Sequence, residues 1–164
     1  MLEGSEKIFR IKTNCLIMII NISITILMYA FMECVAWFTH KFIMHGFLWN
    51  LHQDHHSKEH NDFLEKNDFF FLIFAIPGIL LIAFGMSNEY HYTFYLGLGI
   101  TLYGFSYFFI HDLFIHQRFK VLRKTKNKYF VNLRRAHKLH HKNRMKEHGE
   151  YFGMLYIPRK FNRK

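Results

Sequence analysis

The sequence predicts an all-α integral membrane protein with three to four transmembrane helices and a histidine cluster on the cytoplasmic face. Hydrophobic residues make up 51% of the chain, yet its mean hydropathy is near zero, so apolar and charged residues occupy separate stretches. Three apolar stretches are each long enough to cross a bilayer, which takes about 20 helical residues. Histidines cluster just beyond the first and third stretches. Together these observations predict membrane helices that carry a polar site at one end.

The three apolar stretches are the predicted spans. They cover residues 15–39, with one charge at Glu33, and residues 69–86 and 93–110, with no charge. A helix rises about 1.5 Å per residue, so each stretch is long enough to cross the membrane. No small-residue cleavage site follows the first stretch, and we expect it to be retained rather than removed as a signal peptide.

The chain of 164 residues contains no Pro-, Gly- or Ser-rich linker, so we expect one membrane-embedded domain over residues 1–164. Within this domain, residues 1–14 are an N-terminal flank and residues 159–164 are a basic tail. Cys15 and Cys34 lie roughly 28 Å apart by helical rise on one predicted helix, so we do not expect them to form a disulfide with each other.

The distribution of Lys and Arg predicts the orientation, because positively charged flanks stay in the cytoplasm. Sixteen of the 22 Lys and Arg residues follow residue 111, whereas the turn at 87–92 contains none. We therefore expect segments 40–68 and 111–164 on the cytoplasmic face and the turn on the other side.

The N-terminal flank conflicts with this orientation. Three spans would place the N-terminus outside the cytoplasm, yet Lys7, Arg10 and Lys12 outnumber Glu3 and Glu6. Either the flank lies flat on the membrane surface, or the first stretch does not cross as a simple span.

The net charge of +10 at pH 7 is consistent with two kinds of partner. Positive charge favours phosphate in nucleic acids. Anionic lipid head groups explain the same charge with fewer assumptions, since each Lys or Arg near the surface contributes about 1 kcal/mol. We therefore predict contact with membrane lipids and no nucleic-acid partner.

Ten of the 13 histidines form four groups along the chain, and these ten are the candidate metal ligands. Positions i, i+3 and i+4 of a helix share one face, so each group of three projects its imidazoles toward one side. Neutral imidazole is a common ligand for Fe, Zn and Cu. In order, the groups are His40 and His45; His52, His55 and His56; His111 and His116; and His137, His140 and His141.

The histidine pairs have a different spacing. Five positions at about 100° each place His40 and His45 roughly 140° apart on a regular helix. The two share an ion only if the helix bends; otherwise each faces a different ion. We favour the second alternative because each pair lies where a span ends. The four groups are then expected to enclose two metal ions with about five ligands each.

Other interpretations of the histidines receive less support. His60, His91 and His148 lack a partner pattern and are expected to be ordinary polar residues. A loose metal-binding tract remains an alternative for the ten. Transmembrane bis-histidine haem needs facing pairs within the bilayer, whereas these pairs lie at its edge. A zinc protease is disfavoured because no H-E-x-x-H motif occurs.

Several segments between Glu33 and Pro158 carry a family resemblance. The chain resembles the bacterial-type β-carotene 3-hydroxylases, small members of the membrane fatty acid hydroxylase and sterol desaturase superfamily. The two pairs and two triplets of histidine are specific to the superfamily, and the flanking residues with the short chain indicate the carotenoid branch. The segments are HKFIMHGFLWNLHQDHH, EKNDFFF, HDLFIHQRF, RRAHKLHHK and FGMLYIP.

The resemblance implies a non-haem di-iron monooxygenase that hydroxylates the β-ionone rings of carotenoids at C3, converting β-carotene through β-cryptoxanthin to zeaxanthin. It also implies that the ten histidines match the ten motif ligands of the family. The expected cofactors are two iron ions, with O2 as co-substrate and an external two-electron donor such as reduced ferredoxin or an NAD(P)H-linked reductase. The expected location is the bacterial inner membrane, with the active site facing the cytoplasm. A carotenoid resides in the bilayer, so we expect it to enter sideways between helices.

Acidic residues near the motifs are candidates for supporting roles. Asp54 and Asp112 are expected to accept the outward ring N–H of a ligating histidine. Glu33 has two interpretations, a functional intramembrane carboxylate or an interfacial partner of Lys or Arg. Glu65 and Asp68 are expected to place negative charge near the start of the second span.

Two alternative functions remain open at this stage. One is a related di-iron fatty acid or sterol hydroxylase or desaturase with the same metal site. The other, from a different class, is a membrane metal-binding or transport protein that uses the histidines as an open chelating site. A transporter is expected to line its spans with ionisable residues, and these spans contain only Glu33.

Overall fold

The computed structural model describes residues 2–57, 64–118 and 123–161, without the side chains of residues 2 and 3. Every regular element within these ranges is helical, which confirms the all-α prediction. The elements are α1 (Leu2–Phe38), a first π-helical segment (Thr39–Phe47), α2 (Trp49–His56), a 3₁₀ turn (Lys66–Asp68), α3 (Phe69–Ser87), α4 (Tyr92–Tyr107), a second π-helical segment (Phe108–Ile115), α5 (Lys128–Lys142) and a final 3₁₀ turn (Arg159–Phe161).

Three helical stretches are long and apolar enough to cross a membrane. They are Gly4–Phe47, Lys66–Ser87 and Tyr92–Ile115, and each contains one of the three predicted spans. Large apolar side chains such as Leu27 and Leu80 are 68% and 62% exposed on these helices. Apolar surface of this kind is what a lipid bilayer covers.

The N-terminal flank is part of α1. The helix runs without a break through 37 residues, or about 56 Å at about 1.5 Å per residue. A hydrocarbon core is about 30 Å thick, so α1 is longer than one crossing requires. The charged flank therefore continues α1 along its axis as part of the same helix.

Glycines allow α1, α3 and α4 to approach closely. A Cβ atom at Gly97 would lie 2.7 Å from the carbonyl oxygen of Gly78 on α3, and one at Gly99 would lie 2.7 Å from the carbonyl oxygen of Thr25 on α1. Small residues at helix contacts are how membrane helices pack without a hydrophobic driving force. Helices α3 and α4 run antiparallel, whereas α4 runs parallel to α1. The C-terminal ends of α1 and α4 therefore lie at the same end of the bundle as the N-terminal end of α3.

The C-terminal segment, residues 143–161, folds back over this common end. The hydroxyl of Tyr129 on α5 donates to the carbonyl oxygen of Leu155 at 2.7 Å. Two small buried clusters fix the segment: Tyr151 and Phe161 pack with Phe114, Ile115, Leu133 and Ala136, and Met154 packs with Met32, Ile100 and Tyr103. The segment thus covers the histidine-bearing ends of the helices.

Replacing Gly97 by Ala is expected to destabilise the bundle by about 1–3 kcal/mol, because the new methyl group meets backbone atoms that cannot move aside. Gly104→Ala is the matched control on the same helix, since a Cβ atom there meets nothing within 4 Å. Thermal unfolding of the two variants in detergent micelles measures the difference. Equal unfolding midpoints would contradict the close packing of α3 and α4.

Candidate metal centre

The ten predicted histidines converge into two adjacent groups. Within each group, one ring nitrogen per residue lies within 4.8 Å of the others. The ring of His141 lies 4.4 Å from that of His56 in the first group, but it lies 4.5–4.8 Å from three rings of the second group, so we count it with the second group. The first group is His40, His45, His52, His56 and His140, and the second is His55, His111, His116 and His137, joined by His141.

Each group draws on both triplets. His52 and His56, one helical turn apart on α2, belong to the first group, while His55 belongs to the second. On α5 the pattern is reversed, since His137 lies in the second group and His140 in the first. Each group therefore contains three parts: one histidine pair, the first and last histidines of one triplet, and the middle histidine of the other triplet. The two triplets thus exchange their middle histidines, and the structure offers two sets of five imidazoles.

The expectation that the two members of a pair face different ions is wrong. His40 and His45 lie in the same group, and so do His111 and His116. The reason is local backbone geometry: both pairs lie in or at the end of π-helical segments, where each N–H bonds to the fifth residue before it. The N–H of His116, for example, donates to the carbonyl oxygen of His111 at 2.8 Å. The wider turn brings positions i and i+5 onto one side.

Six of the imidazoles are oriented by an oxygen atom at Nδ1. Each of these oxygens belongs to a carbonyl group or a carboxylate, which only accepts, so Nδ1 carries the proton and Nε2 keeps its lone pair. The pairs are His40 with the Phe152 carbonyl at 3.0 Å, His45 with the Lys146 carbonyl at 2.9 Å, His52 with the Asn67 side-chain oxygen at 2.7 Å, His55 with Glu65 at 2.5 Å, His56 with the Asn143 carbonyl at 3.1 Å, and His111 with Asp112 at 2.7 Å.

The unprotonated Nε2 atoms then point at one another. The Nε2 atom of His52 lies 3.1 Å from that of His40 and 3.2 Å from that of His56. In the second group the Nε2 atoms of His116 and His137, two rings outside the six oriented ones, are 2.8 Å apart. Facing lone pairs repel unless a cation lies between them. Two nitrogens held about 2.1 Å from one ion at right angles are about 3.0 Å apart, so these separations suit a shared metal ion.

Two further nitrogens support the same conclusion. Among the described residues, the buried Nε2 atoms of His55 and His141 have no hydrogen-bond partner. A buried nitrogen without a partner is costly unless a metal ion uses its lone pair. A donor set made almost wholly of imidazole suits Fe, Zn, Cu or Ni. The residues present therefore fit two transition-metal ions.

Burial keeps these imidazoles neutral. It is the largest cause that lowers the pKa of His56 to about 4 and the pKa of His116 to about 3. Repulsion by His45 lowers the pKa of His56 further, and repulsion by Arg118 does the same for His116. Near pH 7 both lone pairs are therefore free for a metal ion, with no proton to displace.

The acidic residues divide between predicted and unexpected roles. Asp112 accepts from His111 as the sequence predicts, while Asp54 accepts from the backbone N–H of Lys66 at 2.6 Å. Glu65 forms a capping box with Asp68 at the start of the second span, as expected, and also accepts from His55. Sequence reasoning missed the second role, because no fixed spacing relates a histidine on α2 to a carboxylate beyond its end.

Glu33 matches neither of its two interpretations directly. One carboxylate oxygen accepts three backbone N–H groups, from Met154 at 2.9 Å, Leu155 at 2.8 Å and Tyr156 at 3.0 Å. The other accepts from the Tyr103 hydroxyl at 2.7 Å. Glu33 thus fastens the C-terminal segment to α1. This segment also supplies the carbonyl group that orients His40, so Glu33 supports the site from outside it.

Two of the remaining histidines, His91 and His148, lie outside both groups, as the sequence predicts. His91 lies in the turn between α3 and α4, where Nδ1 is 3.4 Å from the Thr93 hydroxyl. His148 is exposed in the C-terminal segment. His60 lies outside the described residues. Cys15 and Cys34 are both free and exposed, as their separation predicts.

Comparison with known proteins agrees with this geometry. The fatty acid hydroxylase family matches residues 25–157, a range that includes all ten histidines. A β-carotene hydroxylase of Pseudescherichia vulneris is 40% identical over 85% of this chain and 78% of that protein. One of Paracoccus sp. (strain PC1) is 38% identical over 77% of this chain and 78% of that protein. A chloroplastic β-carotene 3-hydroxylase of an Oncidium hybrid cultivar is 41% identical over 67% of this chain and 37% of that protein. No solved structure matches the chain significantly.

Removing one imidazole from either group is expected to lower the metal bound per chain. His140→Ala tests the first group and His55→Ala the second, and elemental analysis of purified protein gives the stoichiometry. His148→Asn is the control, since asparagine tolerates the positive φ of 65° at that position. Wild-type metal content in both alanine variants, or a loss in His148→Asn, would contradict the grouping.

Replacing Glu33 by Gln is expected to release the C-terminal segment. The amide group of glutamine has only one accepting oxygen for four donors, so the variant should lose about 1–3 kcal/mol of stability. Glu150→Gln is the control, because Glu150 is 63% exposed and pairs with exposed Lys160. Limited proteolysis at residues 143–161 and thermal unfolding measure the effect. Equal protease resistance in the two variants would show that Glu33 does not hold the segment.

Proposed function

Because this chain belongs to the fatty acid hydroxylase family, we propose that it hydroxylates carotenoid β-ionone rings at C3, converting β-carotene through β-cryptoxanthin to zeaxanthin. The observation that carries the proposal is the convergence of ten histidines into two adjacent groups, in a chain that matches β-carotene hydroxylases over most of its length. The family makes the chain an oxygenase, and the carotenoid is inferred from the named relatives.

The ten histidines hold two iron ions in this proposal, with five ligands for each ion. When bound, the iron pair supplies the reduction of O2 that an unactivated ring C–H bond requires: one oxygen atom enters the ring as hydroxyl and the other leaves as water, with two electrons and two protons consumed. The electrons come from an external donor such as reduced ferredoxin or an NAD(P)H-linked reductase.

The chain's own side chains hold the ligands ready for this chemistry. Glu65, Asn67 and Asp112 accept the Nδ1 protons and so direct the Nε2 lone pairs inward. His52 and His140 are 1% and 0% exposed, which keeps water away from the reacting centre. A dry, pre-oriented nitrogen cage protects reactive species from side reactions with solvent.

The location follows from the charge of the helices around the site. We place the histidine groups on the cytoplasmic face of a bacterial inner membrane, in one membrane-embedded domain over residues 1–164, with a flank at 1–14 and a basic tail at 159–164. Basic residues of α5, such as Arg135 and Lys138, lie beside the site, where the positive-inside rule and anionic lipids favour them.

Expression of the chain in β-carotene-producing bacteria tests the proposal. Zeaxanthin and β-cryptoxanthin are expected under air, and only β-carotene under anoxia, since O2 is a co-substrate. The His140→Ala variant, confirmed in the membrane fraction, is the control and should form neither product.

Unchanged β-carotene under air, with the protein in the membrane and iron supplied, would contradict the carotenoid substrate. The related alternative, a fatty acid or sterol substrate for the same metal site, would then be tested by lipid analysis of the same cells. A metal transporter is not supported, because Glu33, the one acidic residue within the predicted spans, is engaged in four hydrogen bonds.

A further inference from the structure

An open groove lies between the end of α1 and the C-terminal segment. Its volume is about 770 Å³, within the roughly 300–1,000 Å³ typical of small-molecule sites. The walls include Cys34, Trp37 and Phe38 from α1, and Phe152, Gly153 and Tyr156 from the C-terminal segment. Its lining includes none of the ten candidate ligands.

The walls of the groove are almost wholly apolar. Glu33 lines it, but its carboxylate is engaged by three backbone N–H groups and a tyrosine hydroxyl. Glu150 lies at the rim and pairs with Lys160 at 2.9 Å. The groove therefore presents hydrocarbon surface to an occupant and no uncompensated charge.

The groove opens toward the surface that contacts lipid. Trp37 and Phe38 are 41% and 52% exposed and belong to the first membrane-spanning stretch, Gly4–Phe47. An apolar molecule dissolved in the bilayer can therefore reach the groove from the side of α1 without crossing water.

One residue joins the groove to the first histidine group. The ring of Phe152 lines the groove, and its centroid lies 5.4 Å from that of His40, 5.2 Å from that of His45 and 5.2 Å from that of His140. The Phe152 carbonyl group also orients His40. Phe152 thus contacts both the groove and the first histidine group.

We propose that this groove binds the apolar ring end of the substrate, which enters from the lipid between α1 and the C-terminal segment. The ring end lies against Phe152, so the first histidine group faces the substrate. The identity of the occupant, a carotenoid, rests on the proposed function. The position of the groove rests on the structure alone.

The two cysteines provide a matched test. Cys34 lines the groove, whereas Cys15 lies on the same helix outside it and is also exposed. Cys34→Trp fills the groove with a bulky side chain, and Cys15→Trp makes the same change on the lipid-facing surface. If the tryptophan at position 34 prevents folding, Cys34→Leu and Cys15→Leu give the same comparison with a smaller side chain.

The probe is β-carotene, titrated into iron-loaded protein in phosphatidylcholine nanodiscs, under argon and without an electron donor. A polyene held in an asymmetric site acquires circular dichroism in its visible band, so binding is measured without turnover. Wild type and Cys15→Trp are expected to give the signal with similar affinity, and Cys34→Trp to bind at least tenfold more weakly.

The outcomes test the groove as a binding site independently of the proposed reaction. Equal binding by Cys34→Trp and Cys15→Trp, or no signal with wild type, would overturn the groove as the binding site, even if cells expressing wild type form zeaxanthin. Selective loss of binding in Cys34→Trp would support the groove, even if wild-type cells form no zeaxanthin and the proposed reaction fails.

Discussion

The convergence of unprotonated imidazole nitrogens is the constraint on which the rest of the structure depends. Neutral rings in a buried group cannot donate to one another when each Nδ1 proton is already engaged, as it is for His40 and His52. Their Nε2 atoms lie 3.1 Å apart, where two lone pairs repel. Such an arrangement is stable only when outside acceptors hold each ring and a cation joins the inward nitrogens. Metal binding and folding of this end of the molecule are therefore coupled.

The surrounding structure supplies what that cage requires. Two π-helical segments turn histidines five positions apart toward the same side, where a regular helix would separate them. The C-terminal segment contributes carbonyl groups to His40 and His45, and Glu33 fastens that segment to the first span. Close packing at Gly97 and Gly99 holds α4 against α3 and α1. The contacts that stabilise the fold thus also position the histidines of the site.

Hydropathy and histidine spacing predicted the three long apolar helices and the ten histidines that converge at the candidate site, because both signals are local in the sequence. The same spacing gave a wrong prediction for His40 and His45, because that prediction assumed a regular α-helix. A π-helical segment leaves no clear mark in the sequence. The carboxylate of Glu65 and the anchoring role of Glu33 also escaped prediction. Both depend on tertiary contacts, and Glu33 bonds to backbone groups more than 120 positions away.

Iron K-edge X-ray absorption of the purified, iron-loaded protein tests the central claim most directly. Imidazole rings produce a distinct multiple-scattering pattern, so the number of histidines around each iron can be counted. The two groups predict a first shell dominated by nitrogen, with four or five imidazole rings per iron. A shell dominated by oxygen, with one imidazole or none per iron, would show that the converging nitrogens do not hold the metal.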